Sequence, residues 1–421
     1  MAADKNGKRP PRIRILHPET SAVAEGFDPA LSVMSARPPI YPVSTYCFRS
    51  AQEASHFFDM ALGRAAPEGN GAEFIYARLN NPNAEMFEEM MIPLERGATA
   101  AASFASGMAA ITTTMLAFLR PGDVVLHTHP LYGGTSHVLH HMLPEFGVTA
   151  RAVEAGSTQA LAREAERIGD HLAMIYVETP ANPTLRMTDI AQAAEIAHSH
   201  RARRPVLLAV DNTFLGPVFQ SPLSHGADLT LYSATKYIGG HSDVVAGVAL
   251  ARDAELIRAL KKTRSFFGTI AEPFTAWLLQ RSLATIYTRM VKQSKNAARI
   301  VERLQGHPRL ARIVYPTHFE GEQKRIYQAQ CSAPGGMISF ELDGGREAAF
   351  RFVDALKIAK LAVSLGGVET LVTHPRSTVS SEMAPEELDR AGIGESMVRF
   401  STGVEYWRDL LNDIEQALAK T

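Results

Sequence analysis

Six short apolar runs, near residues 99–103, 123–126, 172–177, 206–210, 229–232 and 245–250, punctuate the middle of the chain, and helical segments separate most of them. Strands that are apolar on both faces and alternate with helices predict an α/β fold with a mostly parallel central sheet. The run at 245–250 follows 229–232 too closely to be joined by a helical crossover. A chain of 421 residues is too long for one small core, so one large domain and a smaller one are expected. The pattern divides into an extended N-terminal arm at 1–75, a large domain at 76–272 and a smaller α/β C-terminal domain at 273–421.

Two of the runs end in residues that a buried strand does not need. Val206-Leu-Leu-Ala-Val leads into Asp211-Asn-Thr, which places a carboxylate at a strand end. Parallel sheets carry their chemistry there, and a buried Asp calls for a cationic partner. An Asx-turn after a strand would read the same way. Leu229 to Tyr232 delivers Ser233, Thr235 and Lys236 into a turn that Gly239 and Gly240 fold back. Lys236 is either a surface lysine that follows a strand or a Schiff-base lysine whose amine is made nucleophilic by desolvation.

The formal net charge is −1, so nothing argues for a nucleic-acid or membrane partner. No apolar run reaches transmembrane length. Cys47 and Cys331, far apart in sequence, fit a reducing cytoplasm better than a disulfide scaffold. Met1 to Ile15 is basic and lacks the apolar core of a secretion signal, and a loosely docked tail is expected. His127, His129, His137, His140 and His141 cluster, but their spacing matches no standard zinc pattern, so no metal site is expected.

Asp211-Asn-Thr followed by Ser233-Ala-Thr-Lys236-Tyr-Ile-Gly-Gly-His-Ser-Asp resembles the Cys/Met-metabolism group of pyridoxal-phosphate enzymes. That group includes cystathionine γ-synthase, cystathionine γ- and β-lyases, methionine γ-lyase and the homoserine-ester sulfhydrylases. The resemblance runs from about Pro38 to the C-terminus. It implies the fold-type I (aspartate aminotransferase-like) architecture and pyridoxal 5'-phosphate as cofactor. It gives Lys236 the Schiff base and the proton transfers, and Asp211 the pyridine nitrogen. Ser233 and Thr235 would hold the cofactor phosphate.

Further motifs extend the match. Tyr76-Ala-Arg78 resembles a segment that crosses the dimer interface to bind the partner's cofactor phosphate; a surface-loop arginine is the plain alternative. Ser106-Gly107-Met108 opens a helix whose free N–H groups form a phosphate cradle, with Met108 contributing its N–H. Tyr132-Gly-Gly-Thr implies an aromatic wall against the cofactor ring that also helps move protons and meets the substrate. Methionine γ-lyases commonly carry Cys two residues after this tyrosine; here it is Gly134. In Glu178-Thr-Pro-Ala-Asn182-Pro, Asn182 would bond the cofactor's ring hydroxyl, although Asn-Pro also suits a plain turn.

In the last third, Arg399 lies within the β-like run Met-Val-Arg-Phe-Ser and would clasp the substrate carboxylate, unless it faces water from an edge strand. Ser364-Leu-Gly-Gly-Val-Glu resembles the γ-lyase and γ-synthase branch, with Ser364 also near the carboxylate. Strands are expected at Gly336 to Leu342, Ala362 to Leu365 and Val398 to Ser401, with a long loop from Thr373 to Ala384. That loop reads His374-Pro-Arg376-Ser-Thr-Val-Ser380-Ser and lacks the family's Thr-His pair, and Arg281-Ser-Leu-Ala-Thr285 departs from Arg-Gly-Leu-Lys-Thr. The resemblance implies a carbon–sulfur lyase acting by α,γ-elimination on a small amino-acid substrate, giving a 2-oxo acid, ammonia and a thiol. The alternative is transsulfuration by a cystathionine γ-synthase or γ-lyase. A homo-oligomer is expected, a tetramer built from dimers that share active sites, in the cytoplasm. A non-catalytic nucleotide-binding α/β protein is the competing class, but no Gly-x-Gly-x-x-Gly follows a strand and no Walker loop occurs.

Overall fold

The computed structural model describes residues 16–61, 63–65 and 74–421. The basic start Met1 to Ile15 and most of the expected loop from Arg64 to Gly71 lie outside these residues. Seven strands form the large sheet: β1 (Ala100–Phe104), β2 (Val124–His129), β3 (Thr149–Glu154), β4 (Leu172–Glu178), β5 (Leu207–Asp211), β6 (Leu229–Ser233) and β7 (Gly247–Ala251). Their order is β1-β7-β6-β5-β4-β2-β3. β7 runs antiparallel to both its neighbours, as its short spacing from β6 requires, and the other pairs are parallel.

Every residue of β4 is buried. Its side chains alternate between two cores: Ile175 and Val177 join one, Met174 and Tyr176 the other. β5 divides likewise, with Leu208 and Val210 on one side and Ala209 on the other. Period-two geometry thus explains why the sheet's sequences read as unbroken apolar runs: both faces are covered by helices. Burying each Leu, Ile or Val side chain stabilises the fold by roughly 1.5–3 kcal/mol.

A second sheet holds β8 (Leu310–Val314), β9 (Met337–Leu342), β10 (Lys360–Leu361), β11 (Leu371–Thr373) and β12 (Met397–Ser401), in the order β10-β11-β12-β9-β8. Its core gathers Phe340, Phe352, Phe400, Leu410 and Ile414. The helix Ile286–Leu304 serves both halves of the molecule. Ile286 and Met290 pack into a core of the large sheet, while Ala297, Ile300, Val301 and Leu304 pack into that of the small one.

The arm is not extended throughout. Pro18–Ala24 forms a helix with Pro at its first position and His17 as cap. The proline-rich stretch is anchored by its carbonyls: Asn83 Nδ2 donates to Pro39 O at 2.9 Å, and Trp277 Nε1 to Pro38 O at 2.9 Å. The strand expected at Ala362 to Leu365 is also corrected. Pairing stops after Leu361, and Ser364 adopts φ +103°, which no strand residue does. Among the described residues, no helix is long and apolar enough to cross a membrane.

Candidate active site

The C-terminal ends of β4, β5 and β6 open into a cavity of about 520 Å³. Ladder register sets Glu178 beside Asp211, the last residues of β4 and β5. Across the cavity, β12 of the small sheet supplies Arg399, and the segment that follows β10 supplies Ser364.

Lys236 lies in the turn after β6, fixed by its N–H on Ser233 O at 3.1 Å and by Gly240 N–H on its own carbonyl at 2.7 Å. Its Nζ donates to Ser364 Oγ at 2.8 Å. Burial, and secondly the charge of Arg399, pulls the amine down to about 8. Asp211 Oδ1 accepts from the Thr213 hydroxyl at 2.6 Å and the Thr213 N–H at 3.0 Å, while Oδ2 accepts from Tyr176 OH at 3.4 Å. Burial pushes this carboxyl up. The described residues give it hydroxyl and amide partners but no ion pair, so a cation at the cavity floor would complete it.

Ser106 caps the helix Gly107–Phe118, accepting from Ala109 N–H at 2.9 Å. A Cβ on Gly107 would stand 2.9 Å from Ser233 Cβ, so only glycine lets the helix start approach the end of β6. The free N–H groups of that first turn border Ser233 and Thr235, whose hydroxyl also donates to Ala246 O at 3.2 Å. Together these groups make an anion cradle beside a desolvated amine and an unpaired carboxyl, a set that fits pyridoxal phosphate.

Arg399 is buried at the centre of β12, between Thr373 of β11 and Ser339 of β9. Its Nη1 donates to Asn182 Oδ1 at 2.9 Å and its Nη2 to Ser364 O at 2.8 Å. Burial lowers the guanidinium to about 10, and it forms no ion pair among the described residues. An entering carboxylate would supply the missing anion.

Tyr132 stands at the cavity wall, 45% exposed, ready to cover a planar ligand. A Cβ on Gly134 would meet Tyr132 Cε1 at 2.8 Å and Met108 Sδ at 3.0 Å, so any larger residue there moves the wall. Tyr76 and Arg78 do not join this cavity. Both are exposed; Arg78 donates to Ser265 O, and its guanidinium lies 5.6 Å over the Tyr76 ring.

Three side chains of the site have no role in the sequence reading. Thr213 and Tyr176 hold Asp211, and Glu178 accepts from the Tyr132 N–H at 2.8 Å and the Asn182 N–H at 3.0 Å. Burial, and then the charge of Asp211, pushes Glu178 up. A signal for Glu178 exists: like Asp211, it ends an apolar run with a carboxylate. The clustered histidines resolve into a pair, His127 Nε2 and His140 Nε2 at 3.0 Å, with burial holding His127 down to about 3 and so neutral. Among the described residues, no three His, Cys, Asp or Glu side chains converge as a metal site would need.

Comparisons with known proteins identify relatives over nearly the whole chain. The profile of the Cys/Met metabolism PLP-dependent enzyme family matches residues 19–419. An L-methionine gamma-lyase of Pseudomonas putida is 40% identical over 400 residues, 95% of this chain and 96% of that protein. A cystathionine gamma-synthase of Escherichia coli (strain K12) is 36% identical over 396 residues, covering 94% of this chain and 96% of that one. The crystal structure of cystathionine gamma synthase from Xanthomonas oryzae pv. oryzae, in complex with aminoacrylate and cysteine, superposes with a TM-score of 0.87 at 34% identity, over 96% of this chain and 98% of that one.

Proposed function

The chain belongs to the Cys/Met metabolism PLP-dependent enzyme family, and from that premise we propose that it is a carbon–sulfur lyase that cleaves sulfur amino acids by α,γ-elimination, as a methionine γ-lyase does. The observation that carries the reading is one cavity holding a desolvated lysine together with a carboxyl and an arginine that form no ion pair among the described residues. When bound, pyridoxal phosphate supplies an electron sink that eases proton loss from the substrate's α- and β-carbons.

The chain's own residues do the rest. Arg399 binds the substrate carboxylate in a bidentate clasp, held in aim by Asn182 and Ser364. Lys236 Nζ, neutral above about 8, takes the proton from Cα and moves protons at Cβ. Asp211 would hold the cofactor's ring nitrogen, Asn182 its ring hydroxyl, and the N–H groups of Gly107 and Met108, with Ser233 and Thr235, its phosphate. Tyr132 would pack against the ring and, with Lys236, give a proton to the departing sulfur. Tyr76 and Arg78, outside their own cavity, serve the site of a second copy, which makes the working unit a dimer or a tetramer built from two such dimers, in the cytoplasm. The division into an arm (1–75), a cofactor domain (76–272) and a C-terminal domain (273–421) belongs to the same reading.

The test is release of 2-oxobutyrate and ammonia from L-methionine and from L-cystathionine by the purified protein. Release from methionine supports the lyase. A second reading, γ-replacement, draws on Gly134 and on the likeness to cystathionine gamma synthases. Consumption of an activated homoserine ester with cysteine, without release from methionine, would replace the first reading with the second.

A further inference from the structure

Glu178 is the one buried carboxyl of the cavity lining that the reaction above leaves without a task. It ends β4, and three segments converge on it. Its own N–H donates to the Thr128 hydroxyl of β2 at 3.2 Å. Its Oε2 accepts from the backbone N–H of Tyr132, in the loop after β2, at 2.8 Å. Its Oε1 accepts from the backbone N–H of Asn182, in the turn after β4, at 3.0 Å. Each oxygen therefore takes one donor, and the two donors belong to different segments, the loop after β2 and the turn after β4.

The contacts continue beyond the carboxylate. Asn182 Oδ1 accepts from Arg399 at 2.9 Å, Arg399 donates on to Ser364 O at 2.8 Å, and Ser364 Oγ accepts from Lys236 Nζ at 2.8 Å. A line of hydrogen bonds runs from the aromatic wall, through Glu178, to the carboxylate-binding arginine and the lysine. The Tyr132 carbonyl accepts from Ser136 N–H at 3.0 Å, which ties it to the short helix that follows, while Glu178 ties it to β4; its side chain is half exposed.

We propose that Glu178 is a positioning residue that spans the cavity floor, its two oxygens fixing the separation between Tyr132 and the Asn182–Arg399 pair. The role needs both reach and two acceptors. A carboxylate one methylene shorter cannot meet both N–H groups, and an amide of equal length turns a donor toward one of them. The proposal rests on the reading of Arg399 and Tyr132 as substrate and cofactor contacts.

The experiment compares the wild-type holoenzyme with Glu178→Gln and Glu178→Asp. Four quantities are measured: steady-state turnover, the visible circular dichroism of bound pyridoxal phosphate, amide hydrogen exchange at Tyr132 and Asn182, and the thermal midpoint. Both variants are expected to lower kcat/KM by about 10- to 100-fold, with KM rising, as for a buried N–H left without its acceptor. They also weaken the dichroism and speed exchange at one or both amides. Wild-type kinetics, dichroism and exchange in Glu178→Gln would overturn the proposal. So would full recovery in Glu178→Asp, which would show that a carboxyl of either length suffices and that span is not the requirement. A fall in thermal midpoint alone, or insolubility of both variants, would assign Glu178 to folding and overturn it as well. Exchange and dichroism do not depend on the substrate. A wild-type enzyme inactive on every sulfur amino acid would defeat the proposed function while these two readouts still judged Glu178.

Discussion

The two sheets reach the same cavity by different means. The large sheet offers its strand ends: Glu178 and Asp211 stand at the last ladder positions of β4 and β5, and Lys236 lies just past β6. The small sheet offers Arg399 from the middle of β12, paired on both sides, and Ser364 from a segment with φ +103°. At a strand end, a side chain can change while the sheet behind it stays intact. Arg399 is aimed by the register of three strands, because a slip of one residue would turn it to the other face. The large sheet therefore supplies chemistry on a rigid floor, and the small sheet supplies aim.

The largest effect should come from the floor. Lys236→Ala is expected to lower turnover by about 10³-fold or more, in line with the loss of a positioned acid–base group, while the protein stays folded. Product release and thermal melting check this. Turnover within tenfold of wild type would take the lysine out of the reaction. Next is Arg399→Lys, which keeps the charge and loses the fork. KM should rise about 10- to 100-fold, with kcat changed less, because one charge-assisted contact is lost. A fall in kcat at constant KM would break the comparison, giving the small sheet a share in the chemistry.

A pH series sharpens the floor further. Burial holds the Lys236 amine at about 8, and only the unprotonated amine attacks an aldehyde. Uptake of pyridoxal phosphate by cofactor-free protein should therefore quicken about tenfold per pH unit on approach to pH 8 and level off above it. A plateau that begins only near 10 would show the amine to be solvated. The smallest effect belongs to the mouth, where Glu382 lines the opening and lies 3.8 Å from His137. Glu382→Gln should change kcat/KM less than about fivefold, since exposed ion pairs are worth ~1 kcal/mol or less.

The same contrast explains what the sequence discloses. Runs that are buried on both faces and end in Asp211 or lead to Lys236 are legible because burial and chemistry meet at one point in the chain. β3 is an edge strand with most of its residues exposed, so Arg151 and Glu154 blur its pattern. β10 and β11 have two and three residues, too short for any periodicity to register. Ser364 is apolar-flanked like a strand residue, yet its positive φ is imposed by contacts with Lys236 and Arg399 from distant parts of the chain. Glu178 ends its strand as Asp211 does, but its partners are backbone N–H groups, which carry no sequence signature. The roles of Tyr76 and Arg78 rest on resemblance alone, since neither lines the cavity of its own chain.

The helix Ile286–Leu304 has a consequence for how the molecule melts. Its first turns belong to a core of the large sheet and its last to the core of the small one, and from it Arg289 donates to the Tyr237 carbonyl at 2.7 Å, one residue past the lysine. A Cβ on Gly240 would collide with that guanidinium, so the turn and the helix are built around each other. Unfolding either half strips one end of a single rigid rod and loosens the other. The two cores are thermodynamically yoked, and calorimetry should record one cooperative endotherm rather than two.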